Sequence, residues 1–71
     1  MLAIEVKYLG KTSRWQLKSA AGILYFPISH DIRPEADMLN CVQAYAKIFE
    51  WDGRDWAGGS TNTGYVFVQN P

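Results

Sequence analysis

Residues 34–50, with the sequence PEADMLNCVQAYAKIFE, predict a helix that carries one apolar stripe. Its apolar residues follow the i, i+3, i+4, i+7 spacing that places side chains on one face of a helix. Pro34 suits the first helical turn, and Glu35 and Asp37 lie near the positive end of the helix dipole. Because glycine readily adopts the left-handed cap conformation, we expect the helix to end around Trp51-Asp52-Gly53. The stripe comprises Met38, Cys41, Val42, Tyr45, Ile48 and Phe49.

The segments before this helix have patterns that predict strands. Residues 2–8 and 14–19 alternate apolar and polar side chains with the period of two that is typical of half-buried strands. Residues 23–28 are rich in β-forming residues and predict a third strand. Pro27 cannot donate a ladder hydrogen bond, so its end of the strand should be an edge or a terminus. The residues expected to face the helix on the first two strands are Leu2, Ile4, Val6, Tyr8, Trp15, Leu17 and Ser19.

Residues 56–68, WAGGSTNTGYVFV, could form either a phosphate cradle or a hairpin turn. A phosphate loop leads into a helix N-terminus, whereas residues 64–69 predict a strand, and the segment does not match G-x-x-x-x-G-K-[ST]. We therefore expect a turn that joins a short strand at residues 54–57 to the last strand. The element order β-β-β-α-β-β over residues 1–71 predicts a single α+β domain, a small antiparallel sheet with one helix packed on one face.

The charge balance limits the classes of partner. Basic and acidic residues number seven each, so the formal net charge is zero. This argues against wholesale nucleic-acid binding and against an acidic DNA mimic. The charges are nevertheless segregated. Residues 1–33 hold five basic and two acidic residues, a net charge of +3, and residues 34–71 hold two basic and five acidic residues, a net charge of −3.

The candidate reactive residues have simpler structural interpretations. Ser29-His30-Asp31 resembles fragments of a hydrolase triad, but adjacent residues on one connection rarely converge as a triad does. His30 is the only histidine, and Cys41, the only cysteine, lies on the apolar stripe, where burial raises a thiol pKa. We expect the carboxylates near the helix end, Glu50, Asp52 and Asp55, to be solvated. The sequence therefore predicts a protein that is not an enzyme and has no catalytic, cofactor or metal site.

The sequence also bears on location. No apolar run reaches the ~18–20 residues of a membrane helix, and the N-terminus lacks a signal-peptide pattern. With one free cysteine, the expectation is a cytoplasmic protein that does not engage a membrane.

Basic residues on the first two strands predict a binding surface. Lys7, Arg14 and Lys18 should project away from the helix, with Lys11 in the loop between the strands. Trp56 or an outward aromatic residue would supply an anchor, because Trp, Tyr and Arg dominate interface hot spots. This face could bind a protein, single-stranded nucleic acid or a second copy of the chain, and the zero net charge favours protein. If Ile23 and Tyr25 face the core, the outward residues would include Leu24, Phe26 and one of Tyr65 or Phe67.

The order of short motifs resembles a group of small proteins encoded by bacteriophages, prophages and other mobile elements. The motifs are Tyr8-Leu9-Gly10, the segment at residues 26–30 (FPISH), Trp51-Asp52-Gly53, Gly58-Gly59 and residues 64–68 (GYVFV). The resemblance implies a setting in which tiny proteins bind and disable or redirect a larger host machine, anti-CRISPR and anti-restriction proteins among them. It implies a host protein or protein complex as the partner, in the host cytoplasm, with homodimerisation as a further option.

Overall fold

In the computed structural model, which describes residues 2–51, 55–62 and 64–69, five strands and one helix follow the predicted order. The elements are β1 (Ala3–Leu9), β2 (Arg14–Ser19), β3 (Gly22–Pro27), α1 (Pro34–Ile48), β4 (Trp56–Ser60) and β5 (Tyr65–Gln69). The strands form one antiparallel sheet in the order β3-β2-β1-β5-β4, and α1 packs on one face of it. The predicted α+β class and the helix on one face are confirmed.

The alternation of β1 and β2 selects the side chains that face the helix. Ile4 and Val6 on β1, and Trp15 and Leu17 on β2, are all buried, while the residues between them point to the other face. Phe67 of β5, which lies opposite Ile4, is buried with them. The period of two therefore predicts the two faces of these strands correctly.

The orientation of β3 that would turn Ile23 and Tyr25 toward the core is not the observed one. Leu24 and Phe26 face the helix and pack against the core, whereas Ile23 and Tyr25 are 45% and 52% exposed on the opposite face. The register explains this result, because Phe26 lies opposite Trp15 and directly opposed residues share one face of a sheet. β3 is apolar on both faces, so its own sequence cannot decide which set turns inward.

Pro27 has the position that its missing N–H requires. β3 is an edge strand, and the hydrogen bond of 3.0 Å from the Ile28 N–H to the Ser13 C=O continues the ladder with β2. Alternate residues of β3 form main-chain hydrogen bonds with β2, and Pro27 is one of the residues between them. Its main-chain nitrogen therefore points away from β2, so its missing N–H removes no hydrogen bond from the ladder. The predicted edge or terminal position of Pro27 is confirmed.

The helix ends two residues before the predicted end, and a different residue terminates it. Glu50 adopts the left-handed conformation with φ of 61°. The Glu50 N–H donates to the Lys47 C=O at 3.2 Å, and the Trp51 N–H donates to the Ala46 C=O at 2.6 Å. These two bonds form a Schellman motif. The predicted stop at Trp51-Asp52-Gly53 is therefore corrected, and Asp52 and Gly53 lie outside the described residues.

The apolar stripe of α1 is confirmed except at its C-terminal end. Met38, Cys41, Val42 and Tyr45 are buried, and Phe49 is half-buried against them, but Ile48 is 58% exposed. With 3.6 residues per turn, Ile48 lies at the margin of the stripe, and it is the last residue of α1.

Asp37 has a role that the sequence prediction missed. Its side chain is only 5% exposed, and Oδ2 accepts hydrogen bonds from Trp15 Nε1 at 2.7 Å and from the Ser29 N–H at 2.9 Å. One carboxylate therefore joins the first turns of α1 to β2 and to the connection after β3. The sequence predicts only that Asp37 lies near the positive end of the helix dipole, and that position does not require a buried side chain.

A second polar contact fixes α1 to the turn between β2 and β3. Tyr45, which is fully buried, donates its hydroxyl proton to the Gly22 C=O at 2.6 Å. The hydroxyl oxygens of Tyr45 and Ser19 are also 2.6 Å apart. Since the Tyr45 proton goes to a carbonyl, the Ser19 hydroxyl must be the donor to Tyr45. The Ala21 N–H in turn donates to Ser19 Oγ at 3.1 Å.

The segment at residues 56–68 forms a hairpin, as predicted, although the glycines lie in a strand. The Thr61 N–H donates to the Gly64 C=O at 2.8 Å and closes the turn between β4 and β5. Gly58 lies within β4, where an added Cβ would be 2.7 Å from the Phe67 ring and 2.9 Å from the Tyr65 ring. The short strand expected at residues 54–57 is instead β4, and Arg54 lies outside the described residues.

We expect Asp37→Ala to lower the free energy of unfolding by about 2–4 kcal/mol, because it leaves the Trp15 and Ser29 donors buried without an acceptor. Glu35→Ala is the matched control, since Glu35 is an exposed acidic residue in the same turn and should matter by less than about 1 kcal/mol. Urea titration of the two variants measures the difference. Equal losses would show that Asp37 acts only through the helix dipole.

We expect Glu50→Gly to raise the free energy of unfolding by about 0.5–1 kcal/mol, because glycine adopts the left-handed conformation without the Cβ penalty. Glu50→Ala also removes a negative charge beside the helix C-terminus but keeps a Cβ. Thermal unfolding of both variants therefore separates the backbone effect from the charge effect. A gain that is as large in Glu50→Ala would assign the effect to charge.

Candidate partner-binding face

Exposed cations gather on the sheet face that α1 leaves uncovered. Three cations are exposed on this face, as the sequence predicts, and each alternates with core residues along its strand. They are Lys7 of β1 and Arg14 and Lys18 of β2. Tyr25 of β3 shares this face and is 52% exposed. We call this surface, made of Lys7, Arg14, Gln16, Lys18 and Tyr25, the cationic face.

The register of the strands arranges the cationic face in rows. Lys7 lies opposite Gln16 on β2, which lies opposite Tyr25 on β3. Arg14 and Lys18 are two residues to either side of Gln16, so each is a diagonal neighbour of Lys7 at about 7–8 Å between backbones. Three cations therefore surround one amide side chain, with a phenol ring beside it.

One carboxylate borders this surface. Glu5 lies directly opposite Lys18 and is exposed, so it partly offsets the positive potential at that end. A shallow depression of about 390 Å³ opens between the rows. Its lining includes Glu5, Lys7, Gln16, Lys18, Ile23 and Thr61. A partner that presents carboxylates to Lys7 and Arg14 and a donor group to Glu5 would match this charge pattern.

Two other residues of the predicted partner-binding set lie off the cationic face. Lys11 is exposed in the turn between β1 and β2, as the sequence predicts. Trp56 is half-buried and packs against the core on the helix side of β4, so it cannot anchor a partner on the opposite face. β4 pairs with β5 in the register that places Gly58 opposite the buried Phe67, and this register turns Trp56 to the same side.

The aromatic content of the outer face is smaller than the sequence suggests. Leu24, Phe26, Tyr65 and Phe67 face the helix, so none of the expected residues forms an outward platform. Within the described part of the chain, Tyr25 is the aromatic side chain on this face. The alternating pattern could have found it only if the phase of β3 had been known.

The residues that resemble a hydrolase triad do not converge. His30 and Asp31 are exposed in the connection before α1, and the Ser29 N–H is bonded to Asp37. His30 borders an open depression of about 450 Å³ whose lining is mainly apolar and does not include Asp31. The other lining residues are Tyr8, Trp15, Ile28, Ser29, Ile32 and Pro34.

The structure describes two of the three acidic residues near the helix end. Glu50 and Asp55 are exposed, as expected, and Asp52 lies outside the described residues. In residues 2–51, 55–62 and 64–69, no three His, Cys, Asp or Glu side chains are grouped closely enough to hold a metal ion.

Cys41 is a core residue, as predicted. It is 7% exposed on the buried side of α1. Burial raises the pKa of its thiol from 9.0 to about 11, and the negative charge of Asp37 contributes to the same shift. At neutral pH the thiol is therefore protonated, which is unfavourable for a nucleophile.

The raised pKa of Cys41 predicts a stability change at alkaline pH. The folded chain keeps the thiol neutral, so this contribution is fully present below pH 9.0 and is lost as the pH rises through about 11. We expect the free energy of unfolding of the wild-type chain to fall by about 2–3 kcal/mol more than that of Cys41→Ala between pH 8 and pH 11. Parallel losses in the two chains, measured by urea titration, would contradict this prediction.

Comparisons with known proteins add no relative. No protein-family model, curated protein sequence or solved structure shows significant similarity to this chain. Among the described residues, no helix has the length and apolar character needed to cross a membrane.

Proposed function

We propose that this protein is a small binding protein from a mobile element and that it docks on an acidic surface of a host protein or protein complex. The supporting observation is the cationic face, where Lys7, Arg14 and Lys18 are exposed side by side on the uncovered side of the sheet. The protein acts by occupying its partner's surface, not by catalysing a reaction, and it does so in the host cytoplasm.

The resemblance to mobile-element proteins suggests which partner to test first. A mobile element benefits when one of its small proteins blocks a host defence complex. Anti-CRISPR or anti-restriction activity is therefore the specific form of the proposal. Nucleases and their complexes have surfaces that bind nucleic acid. An acidic patch on such a complex would present carboxylates to the cationic face.

Protein is a better partner than nucleic acid for this face. Sheets that bind single-stranded nucleic acid stack successive bases on several aromatic side chains. In the described residues this face offers one such side chain, Tyr25, and Glu5 lies beside Lys18. A phosphate backbone would be repelled by that carboxylate, whereas a protein can place a donor group there.

A single-stranded nucleic acid remains the second candidate because of one specific observation. Tyr25 lies in the same row as Gln16 and Lys7, so one base could stack on the phenol ring while its phosphate reaches the lysine. Such binding would weaken with salt, with a slope of about −2 in log K against log [salt] if three phosphates are neutralised.

We expect Lys7→Ala/Arg14→Ala to weaken binding to the partner at least tenfold without unfolding the domain, because both side chains are exposed. The matched control is Arg33→Ala/Lys47→Ala, which also removes one arginine and one lysine, both exposed and both outside the cationic face. Affinity capture from host lysate with the wild-type chain identifies the partner, and titration of the purified partner measures the affinities. Equal affinities of the two variants would remove the cationic face from the proposal.

A parallel titration with a 20-nucleotide single strand of mixed sequence tests the second candidate. Binding that weakens steeply between low and high salt, and that Tyr25→Ala reduces further, would favour nucleic acid over protein. No binding of the oligonucleotide, together with a captured protein that depends on Lys7 and Arg14, would favour the first proposal.

A further inference from the structure

The outer edge of β4 offers main-chain groups to another strand. In an antiparallel pair, alternate residues exchange hydrogen bonds with the partner strand, and the residues between them point away. The bond from the Thr61 N–H to the Gly64 C=O continues the ladder between β4 and β5, so Ala57 and Gly59 are the residues that bond to β5. The residues whose N–H and C=O groups point to the open edge are Trp56, Gly58 and Ser60.

Among the residues that the structure describes, this edge lacks the features that usually prevent strand pairing. Proteins protect sheet edges with proline, charged side chains, bulges or a covering element. β4 has the sequence WAGGS, without a proline or a charged residue, and it is the last strand of the sheet in the described part of the chain. On the outer face its neighbours are also uncharged, since Val66 and Val68 of β5 lie opposite Gly59 and Ala57.

The other edge of the sheet is protected. On β3 the outward-pointing residues are Ile23, Tyr25 and Pro27, and Pro27 has no N–H to donate. The adjacent strand carries Arg14 and Lys18, so two β3 edges that met would bring like charges together. The cations of β1 and β2 lie two and three strands from β4, about 10–14 Å away at the usual strand spacing.

We propose that β4 pairs antiparallel with β4 of a second copy of this chain, about a two-fold axis at Gly58. This register places Gly58 opposite Gly58 of the second copy and Trp56 opposite Ser60 of the second copy. All the outward main-chain groups of β4 then meet, giving about six hydrogen bonds. The strand is self-complementary because a large side chain meets a small one at each end.

The geometry of the two glycines favours this register. An added Cβ at Gly59 would have no atom within 4 Å, so the outer face beside the axis is open. At Gly58 the rings of Tyr65 and Phe67 already occupy the space that a side chain would need. The axis therefore passes through a position with no side chain, where two strands can approach closely. The pairing is independent of what the cationic face binds.

We expect the wild-type chain to sediment at twice its monomer mass at tens of micromolar, and Ser60→Pro to raise the dissociation constant at least tenfold. Proline at this position removes only an N–H that points to the open edge, and Gly59 before it is already extended. The matched control is Ile23→Pro, which removes an outward N–H from β3 and should leave the dimer intact. Circular dichroism monitors folding of both variants.

Mixed cross-linking tests the register even if Ser60→Pro fails to fold. In a Cys41→Ala background, Ala57→Cys on one chain lies opposite Gly59→Cys on the other, at about 4.5 Å between Cα atoms. Two copies of the same single variant hold their cysteines about 8 Å apart, beyond the reach of a disulfide. Mild oxidation should therefore give a covalent dimer from the mixture and not from either variant alone.

Each outcome bears on the proposal. A covalent dimer from the mixture alone, with loss of the dimer in Ser60→Pro, supports it. A wild-type chain that remains monomeric up to millimolar concentration overturns it. A dimer that persists in folded Ser60→Pro, or that cross-links equally in all samples, also overturns it, because the contact would then lie on another surface.

Discussion

The structure depends on the carboxylate of Asp37, which is buried between α1 and the sheet. A buried charge is costly unless hydrogen bonds compensate it. Asp37 receives two such bonds, from the indole of Trp15 and from the main chain at Ser29, and they come from two different parts of the chain. These bonds join α1, β2 and the connection after β3 at one carboxylate, so this contact helps to specify how α1 lies on the sheet. Tyr45 makes the equivalent contact near the other end of the helix, at the carbonyl of Gly22. Between the two contacts the apolar stripe of α1 covers one face of the sheet and leaves the cations of β1 and β2 on the other.

The sequence predicts those parts of the fold in which one residue pattern has one interpretation. Val6 and Leu17 alternate with Lys7 and Lys18, so the two faces of β1 and β2 follow directly from the pattern. β3 is apolar at every position from Ile23 to Phe26, and its orientation depends on its register with β2, which no local pattern reveals. The helix is predicted to end around Trp51-Asp52-Gly53, with glycine in the left-handed conformation. Glu50 adopts that conformation instead, and the packing of Trp51 on Tyr45 helps to compensate the strain.

The same distinction applies to the candidate site, where some residues follow from the local pattern and others depend on strand pairing. Lys7, Arg14 and Lys18 are predicted because each alternates with core residues, and their shared face is a consequence of strand pairing. The set of outward aromatic residues depends on the orientation of β3, which its own sequence leaves open. Trp56, which is predicted as an anchor, lies on the helix side because of the register of β4 with β5. Sequence spacing gives the faces of a strand, but only pairing says which face belongs to the core. The role of Asp37 is also beyond the sequence, since its partners are 22 and eight residues away along the chain.

The position of β1 at the centre of the sheet has a consequence for how the chain folds during synthesis. β1 is the first strand to be made, and its two neighbours are β2, which follows at once, and β5, which is made last. The meander of β1, β2 and β3 can assemble on the ribosome from local contacts, but the second edge of β1 stays unpaired until the final strand emerges. Completion of the sheet therefore waits until the hairpin of β4 and β5 has been made. During that interval the open edge of β1 is a surface that chaperones or neighbouring nascent chains can bind.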